Sequence, residues 1–178
     1  MNSGFQNDDR RFLELISENR SKILKICRVY AWNRADQDDL YQEILFQIWR
    51  SLPNLKQDAY ANTWLYRIAI NASISFVRKR TSRGAAQTTN YDHAQIEQLL
   101  ETQPIANPQN KQLAHLYEAI AQLNDLEKAL ITLFLEDLSY EEIASVMGVT
   151  ESNVGVMLHR AKKKLSTLMK EAPCTTTP

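Results

Sequence analysis

Residues 138–165 carry the sequence LSYEEIASVMGVTESNVGVMLHRAKKKL, which predicts two helices joined by a tight turn. Ser139 and Glu142 have the spacing of a capping box, which satisfies free N–H groups at the start of a helix. Gly148 can adopt the left-handed conformation that ends this helix, and Thr150 can cap the next one. The second helix then has an apolar stripe made by Val154, Leu158, Ala161 and Leu165. This order of signals is typical of a helix-turn-helix, whose second helix enters the major groove of DNA.

The second of these helices ends in a basic cluster, which comprises Arg160, Lys162, Lys163 and Lys164. Basic side chains bind DNA phosphates, which position a protein on DNA without revealing the base sequence. Gly155 weakens the helix, and a close approach of its backbone to DNA would explain its presence. The alternative is an ordinary helical hairpin whose charged face lies in water, and these residues alone leave that interpretation open.

The composition of the 178-residue chain favours an all-α fold. Its hydrophobic fraction is 44%, and four glycines and five prolines leave room for long helices. The formal net charge is zero, so a nucleic-acid surface requires local segregation of charge. Such segregation is present, because no acidic residue occurs between Ala59 and Tyr91. An acidic cluster precedes that segment, at Asp36, Asp38, Asp39 and Glu43.

The cysteine pattern and the hydropathy predict a cytoplasmic protein. Cys27 and Cys174 are far apart, and no spacing of ligand residues predicts a disulfide framework, a metal site or a cofactor. The N-terminus lacks the apolar segment of a signal peptide. No apolar run is long enough to cross a membrane, so we expect no direct membrane insertion.

Apolar periodicity in the first half of the chain predicts three helices, at about 8–32, 36–52 and 62–80. We expect Asp36 to cap the second helix, and Asn62 or Thr63 to cap the third. The third helix combines aromatic, basic and amide side chains, which suits single-stranded nucleic acid because unstacked bases rest on aromatic rings. The side chains concerned are Thr63, Trp64, Tyr66, Arg67 and Asn71. Taken alone, Trp64 fits a core position better, because it lies on the apolar stripe.

The sequence predicts two small helical domains joined by a flexible linker. A three-helix domain is expected at 5–83, and residues 84–107 lack a strong pattern and are predicted to form the linker. A four-helix domain is expected at 108–171, followed by a disordered tail at 172–178. Within the second domain, Asn124 and Glu127 form a further predicted capping box.

Three stretches of the chain resemble a known family. Asp36–Arg50 resembles the pattern D-x-x-D-L-x-Q-E-x-F-x-x-x-W, Thr63–Asn71 matches T-W-L-x-R-I-A-x-N, and Leu158–Lys162 is similar to L-x-R-A-[RK]. In this order they resemble bacterial RNA polymerase sigma factors of the sigma-70 family, in the extracytoplasmic-function (ECF) group. The resemblance implies a transcription initiation factor, not itself an enzyme, that directs core polymerase to promoters. It would recognise the −35 and −10 elements and aid DNA opening.

The resemblance also implies regions, partners and contact residues. Residues 5–83 correspond to sigma region 2 and residues 108–171 to sigma region 4. The implied contacts of core polymerase, at its β′ clamp helices, are Asp39, Gln42, Glu43 and Trp49. Those of the −10 element are Tyr60, Trp64, Arg67, Asn71, Arg78, Lys79 and Arg80. Those of the −35 element are Thr150, Ser152, Asn153, Val156, His159, Arg160 and Lys163. For His159, contact with a base, contact with a phosphate and simple exposure remain open. Region 4 would also bind the β flap, and an anti-sigma factor is an implied partner.

Two other functions are compatible with parts of the sequence. A stand-alone two-domain helix-turn-helix regulator would bind duplex DNA tightly without polymerase. A recombinase or nuclease could use Asp36, Asp39 and Glu43 to hold a metal ion, since they lie at helical spacings. No histidine or second acidic site is close to them in sequence, which weakens that interpretation.

Overall fold

The computed structural model describes residues 3–55, 60–82 and 108–171. These described residues form seven α-helices and one short 3-10 helix, and they contain no strand. The all-α prediction is therefore confirmed. The predicted linker at 84–107 and the predicted tail at 172–178 lie outside the described residues. The chain divides into two compact units. The N-terminal unit takes residues 1–87 together with 145–148, and the C-terminal unit takes residues 88–144 and 149–178.

The N-terminal unit packs three helices against one another. They are α1 (Ser3–Tyr30), α2 (Arg34–Ser51) and α3 (Ala61–Ser82), and a 3-10 turn at Leu52–Asn54 follows α2. Each helix contacts the other two, so the core lies between all three. Its fully buried side chains include Ile23, Ile26, Leu40, Ile44, Ile48, Leu65 and Tyr66. Cys27 is also buried, and burial raises the pKa of its thiol to about 12.

Two predicted helix caps in this unit were wrong. The α2 helix begins at Arg34 and is capped by Asn33, whose Oδ1 accepts a hydrogen bond from the backbone N–H of Asp36 at 2.8 Å. Asp36 therefore lies inside the first turn of α2. Its backbone N–H group needs a capping acceptor, and its side chain does not cap the helix. Asn62 and Thr63 likewise lie inside α3. The side chain of Asn62 instead accepts a hydrogen bond from Lys22 Nζ on α1, at 3.0 Å.

The C-terminal unit contains the predicted four helices. They are α4 (Pro108–Ala121), α5 (Asp125–Leu135), α6 (Tyr140–Met147) and α7 (Glu151–Glu171). The long α7 packs on α4 and α5. The core of this unit includes Ile120, Leu130, Leu133, Ile143, Val154, Leu158 and Ala161. Three of the four predicted stripe residues of α7 are thus buried, and Leu165 is half-buried.

The local signals between α5 and α7 were predicted correctly. Glu127 and Asn124 exchange side-chain hydrogen bonds with each other's backbone, and so do Ser139 and Glu142. The α6 helix ends at Gly148, which has a positive φ of 68°. This conformation lets the next N–H group, that of Val149, bond back to the carbonyl of Ala144 at 3.1 Å.

Glu127 also joins the start of α5 to α7. Its Oε2 accepts hydrogen bonds from Asn124 N–H at 3.0 Å and from Lys164 Nζ at 2.7 Å. Burial opposes ionisation, but the Lys164 bond and the Asn124 N–H together hold the pKa of this carboxyl below its ordinary value of 4.5. The charged form of Glu127 is therefore the one that the fold stabilises.

We expect Glu127→Gln to lower the free energy of unfolding by about 0.5 kcal/mol at pH 7, because the amide keeps the cap but loses the ionic part of the Lys164 contact. A lowered folded pKa gives stability that is present above the unfolded pKa and is lost as pH falls through the folded pKa. The difference between the variant and the wild type should therefore be full above the unfolded pKa of about 4.3 and diminish as the pH falls below it. Thermal unfolding between pH 3 and pH 7 measures it. A difference that does not diminish across this range would contradict the ionic explanation.

Candidate nucleic-acid interfaces

One face of α3 gathers most of the residues that the resemblance implies for single-stranded DNA. Successive residues of an α-helix are about 100° apart, so Trp64, Arg67, Asn71 and Arg78 share an arc of about 60°. Arg67, Asn71 and Arg78 are exposed, and Trp64 is half-buried. Tyr60, which immediately precedes the helix, is 65% exposed. Together these five residues form a strip about 20 Å long that contains aromatic rings, cations and one amide but no acidic side chain.

Two aromatic residues of α3 differ from their predicted positions. Trp64 was expected to be a core residue on its pattern alone, but its side chain is only partly covered. Tyr66 was grouped with the candidate base-stacking residues, but it is only 1% exposed and lies in the core. Residues two positions apart lie about 200° apart on a helix, so when Trp64 faces outward Tyr66 must face inward. On the face of α3 that carries Arg67 and Asn71, the stacking ring is therefore that of Trp64.

The basic end of α3 divides into residues with different partners. Arg78 lies on the same face of α3 as Asn71, and Lys79 lies about 100° around the helix from Arg78. Arg78 and Lys79 are both exposed. Arg80 forms an ion pair with Asp36 at the start of α2, and its guanidinium carbon lies 5.8 Å from the centre of the Phe76 ring. The carboxylate of Asp36 is 15% exposed. Of the three predicted phosphate ligands, Arg80 is thus already held by an acidic group of this chain.

We expect Asp36→Asn to release Arg80 for contact with a phosphate. Each added phosphate contact steepens the salt dependence of single-strand binding by about 0.7 in the log–log slope. The measurement is the affinity of the full chain for a single-stranded oligonucleotide between 50 and 200 mM salt. Over this salt range, a few phosphate contacts together change the affinity by about tenfold. Asp38→Asn is the matched control, because Asp38 is exposed and pairs with Arg34 at 3.2 Å. Equal slopes in the two variants would show that Asp36 does not restrain Arg80.

The outer face of α2 presents two aromatic rings between acidic and amide groups. Asp39 and Gln42 are exposed, Glu43 is partly exposed and Trp49 is 49% exposed. Phe46, which the sequence analysis did not assign to this face, is 52% exposed. It lies near the middle of the arc that these residues define, since it is three positions from Glu43 and from Trp49. The buried stripe Leu40, Ile44 and Ile48 would have identified Phe46 as outward-facing, because position 46 falls about 200° from position 44.

The outer face of α7 presents the residues that the resemblance implies for duplex DNA. Ser152, Val156, His159 and Lys163 lie within an arc of about 60°, and all are exposed. Asn153 and Arg160 are exposed beside this arc. The buried residues Val154, Leu158 and Ala161 occupy the opposite side. Thr150 caps the helix, since its Oγ1 accepts the N–H of Asn153 at 3.4 Å.

Two members of the basic cluster of α7 make side-chain contacts with α5. Lys162 Nζ lies 3.3 Å from the centre of the Phe134 ring on α5, which is a cation–π contact. Lys164 Nζ donates a hydrogen bond to Glu127 at the start of α5, although its side chain is 45% exposed. Arg160 and Lys163 are exposed. Two of the four predicted phosphate ligands therefore fix α7 on α5 instead.

We expect Gly155→Ala to raise the free energy of unfolding by about 0.5–1 kcal/mol, because alanine is the better helix former. A Cβ at this position would lie 3.7 Å from Cε2 of Tyr140, which is ordinary van der Waals contact. Gly148→Ala is the control, since nothing lies within 4 Å of its added Cβ but its φ is 68°. That variant should lose about 1 kcal/mol. Urea unfolding of both variants is the measurement, and a destabilised Gly155→Ala protein would mean that the helix needs this glycine.

The described ranges hold neither a candidate metal site nor a candidate membrane span. There, no three His, Cys, Asp or Glu side chains are close enough to hold a metal ion. Asp36, which the nuclease interpretation needs as a ligand, is paired with Arg80. In the same part of the chain, no helix is long and apolar enough to cross a membrane.

Comparison with known proteins covers both units. Residues 15–83 match the family described as Sigma-70 region 2, and residues 113–165 match Sigma-70, region 4. The RNA polymerase sigma-H factor of Pseudomonas aeruginosa is 31% identical over 178 residues, covering 94% of this chain and 92% of that protein. The ECF RNA polymerase sigma-E factor of Haemophilus influenzae is 27% identical over 172 residues, covering 90% and 88%.

A solved structure shares the fold. The sigma factor RpoE from Bartonella quintana, in complex with the anti-sigma factor NepR, superposes with a TM-score of 0.65 at 17% identity. The superposition covers 94% of this chain and 99% of that one.

Proposed function

The chain belongs to the sigma-70 family of RNA polymerase sigma factors, in its ECF group, and from that premise we propose how its surfaces select and open promoters. A sigma factor directs RNA polymerase to specific promoters, and core polymerase and promoter DNA are therefore partners of this protein. The observation that carries this conclusion is the order of two sigma regions in one chain, with a sigma factor 31% identical across 92% of its length. The stand-alone regulator is not favoured, because the relatives that this chain matches along most of their length are RNA polymerase sigma factors.

The outer face of α2 is the proposed docking surface for the β′ clamp helices of core polymerase. Its contact residues would be Asp39, Gln42, Glu43, Phe46 and Trp49. Exposed aromatic rings surrounded by polar groups are the usual pattern of an interface hot spot, because the rings bury large areas and the polar rim excludes water. The exposure of Phe46 and Trp49, 52% and 49%, supports this assignment, since neither ring is needed to fill the core.

The strip on α3 is the proposed surface for the −10 element. Tyr60 and Trp64 would stack on unpaired bases, Arg67 and Arg78 would meet phosphates, and Asn71 would bond a base edge. Opening a duplex costs unstacking energy, and a surface that binds an extruded base offsets part of that cost. Lys79 and Arg80 would contribute charge at the end of the strip, Arg80 after release from Asp36. In this scheme residues 5–83 act as sigma region 2.

The outer face of α7 is the proposed surface for the −35 element, within residues 108–171 as sigma region 4. Ser152, Asn153, Val156 and His159 would approach base edges in the major groove. Arg160 and Lys163 would bind phosphates, and Thr150 would hold the helix start in place. Two exposed cations attract DNA phosphates only weakly. The polymerase must therefore raise the effective concentration of this surface at the promoter. The same unit would contact the β flap, and residues 84–107 would link it to region 2.

An anti-sigma factor is the proposed regulatory partner. The solved relative from Bartonella quintana was captured with such a partner. A protein of that class could inhibit this chain by covering the α2 face or the α7 face, because each is needed for a different step of initiation.

The proposed function is tested by adding the purified chain to core RNA polymerase. The two should elute together on gel filtration, and promoter-specific transcripts should appear only when both are present. Run-off transcription on genomic DNA, followed by mapping of start sites, would then identify the promoters. Failure to form any complex with core enzyme would overturn the proposal. Tight and specific binding of duplex DNA without polymerase would favour the stand-alone regulator instead.

A further inference from the structure

Val156 is an exposed apolar side chain in the middle of a polar face. It is 53% exposed, and among the described residues of α7 it is the only large hydrophobic side chain that is exposed. Ser152, His159 and Lys163 surround it on the same arc. The residues that attach α7 to its own unit lie on the opposite side of the helix. Val156 therefore lies outside the core of the unit that carries it.

A valine at this position is also a poor choice for helix stability. β-Branched residues lose rotamer freedom in a helix and rank below alanine, lysine and glutamate at exposed sites. The position is five residues after Glu151, the first residue of α7. Recognition helices contact base edges through this N-terminal part. Its location thus favours a role in binding over a role in folding.

The chemistry of the major groove offers one apolar group that Val156 could recognise. Thymine alone among the four bases carries a C5 methyl group there, and apolar side chains contact it. A β-branched side chain in a helix holds nearly one χ1 rotamer, so it loses little freedom on contact. The neighbouring side chains are hydrogen-bonding or charged, and they suit polar base edges and phosphates.

We propose that Val156 is a specificity-determining residue that recognises the methyl group of a thymine in the −35 element. This inference rests on the proposed function, because it requires α7 to enter the major groove. The contact removes from water an apolar area equivalent to about one methyl group in total, which corresponds to about a fourfold preference for thymine at one position. All other positions of the element are recognised through other side chains.

The test uses holoenzyme assembled from the full chain and core polymerase. Promoters with a randomised −35 element are selected by the wild type and by Val156→Ala, and the base preferences are compared. We expect one thymine preference to fall about fourfold in the variant, with the other positions unchanged. That thymine is then replaced by deoxyuridine, which differs only by lacking the methyl group. The wild type should lose about fourfold in affinity on this change, and Val156→Ala should lose less, because its shorter side chain makes less contact with the methyl group.

Leu126→Ala is the matched control, because Leu126 is 45% exposed and lies on α5. It removes an exposed aliphatic side chain without changing the α7 face, and its base preferences should equal those of the wild type. Val156→Ala should unfold at the wild-type temperature or slightly above it, since the side chain is half exposed and alanine is the better helix former. The inference is overturned if the variant keeps every preference, or if deoxyuridine affects both proteins equally. If wild-type holoenzyme does not form or enriches no −35 sequence, the proposed function itself has failed.

Discussion

The Phe46→Ala, Trp49→Ala double variant is expected to bind core RNA polymerase at least about a hundredfold more weakly than the wild type. Truncation of an aromatic hot-spot residue costs about 2 kcal/mol or more in binding, and each 1.4 kcal/mol is a factor of ten. Both rings are about half exposed and lie outside the core of the N-terminal unit. The free energy of unfolding should therefore change little, which separates a docking role from a structural one.

Fluorescence anisotropy of the labelled chain, titrated with core enzyme, measures this affinity. Leu13→Ala is the control, since Leu13 is 65% exposed on α1 and belongs to no proposed interface. Charge reversal at Asp39 and Glu43 is the second arm, and it should weaken binding by about tenfold at low salt and less at high salt. If neither change alters the affinity, the polymerase docks on another surface of this chain.

The second large effect is expected in promoter opening. Replacing Tyr60 and Trp64 together with alanine should reduce open-complex formation by about a hundredfold, because base–aromatic stacking is worth about 1–3 kcal/mol per base. Tyr60 is 65% exposed and Trp64 is half-buried, so both rings are accessible to an unpaired base. The affinity for core polymerase should stay unchanged, since both residues lie on α3 or immediately before it and not on the α2 face.

Permanganate reactivity of unpaired thymines in the −10 region measures the opened fraction of promoter DNA. The Tyr60→Phe, Trp64→Phe double variant keeps both rings and should retain most of the opening. This control also separates the loss of stacking from any effect of Trp64→Ala on folding, because phenylalanine fills much of the half-buried site. If the alanine variant opens promoter DNA normally, the α3 strip takes no part in strand separation.

Features that depend on neighbours in sequence were predictable for this chain. The two capping boxes of the C-terminal unit were found because both halves of each lie three residues apart. The turn at Gly148 followed from the conformational freedom of glycine, and its φ of 68° agrees with that prediction. The buried stripe of α7 followed from apolar periodicity, and the −35 candidates that the resemblance implied lie outside that stripe. All of these are consequences of local backbone chemistry.

Features that depend on distant partners were not predictable from the same patterns. Asp36 fitted the description of a helix cap, but Asn33 lies three residues earlier and takes that role. The partner of Asp36 is Arg80, which lies 44 residues away in sequence. Lys162 and Lys164 were grouped with two neighbouring cations, and only the position of α5 shows that these two contact Phe134 and Glu127 of that helix.

Aromatic residues were the other source of error. Tyr66 is buried although it was grouped with the base-stacking candidates, and the exposed ring of Phe46 was not assigned to any binding surface. Both helices concerned, α2 and α3, pack against two neighbours each. Their buried faces are therefore wide, and a single apolar stripe does not decide which side of the helix a flanking ring occupies.

The opposite faces of α7 have a consequence for how promoter choice can change over time. Val154, Leu158 and Ala161 attach the helix to its unit, and Ser152, Val156 and His159 share none of that task. Substitutions on the outer face should be nearly neutral for folding, so a duplicated copy of this gene could acquire a new regulon without first gaining stability. For the same reason the outer face is a practical site for libraries of orthogonal sigma factors in synthetic gene circuits.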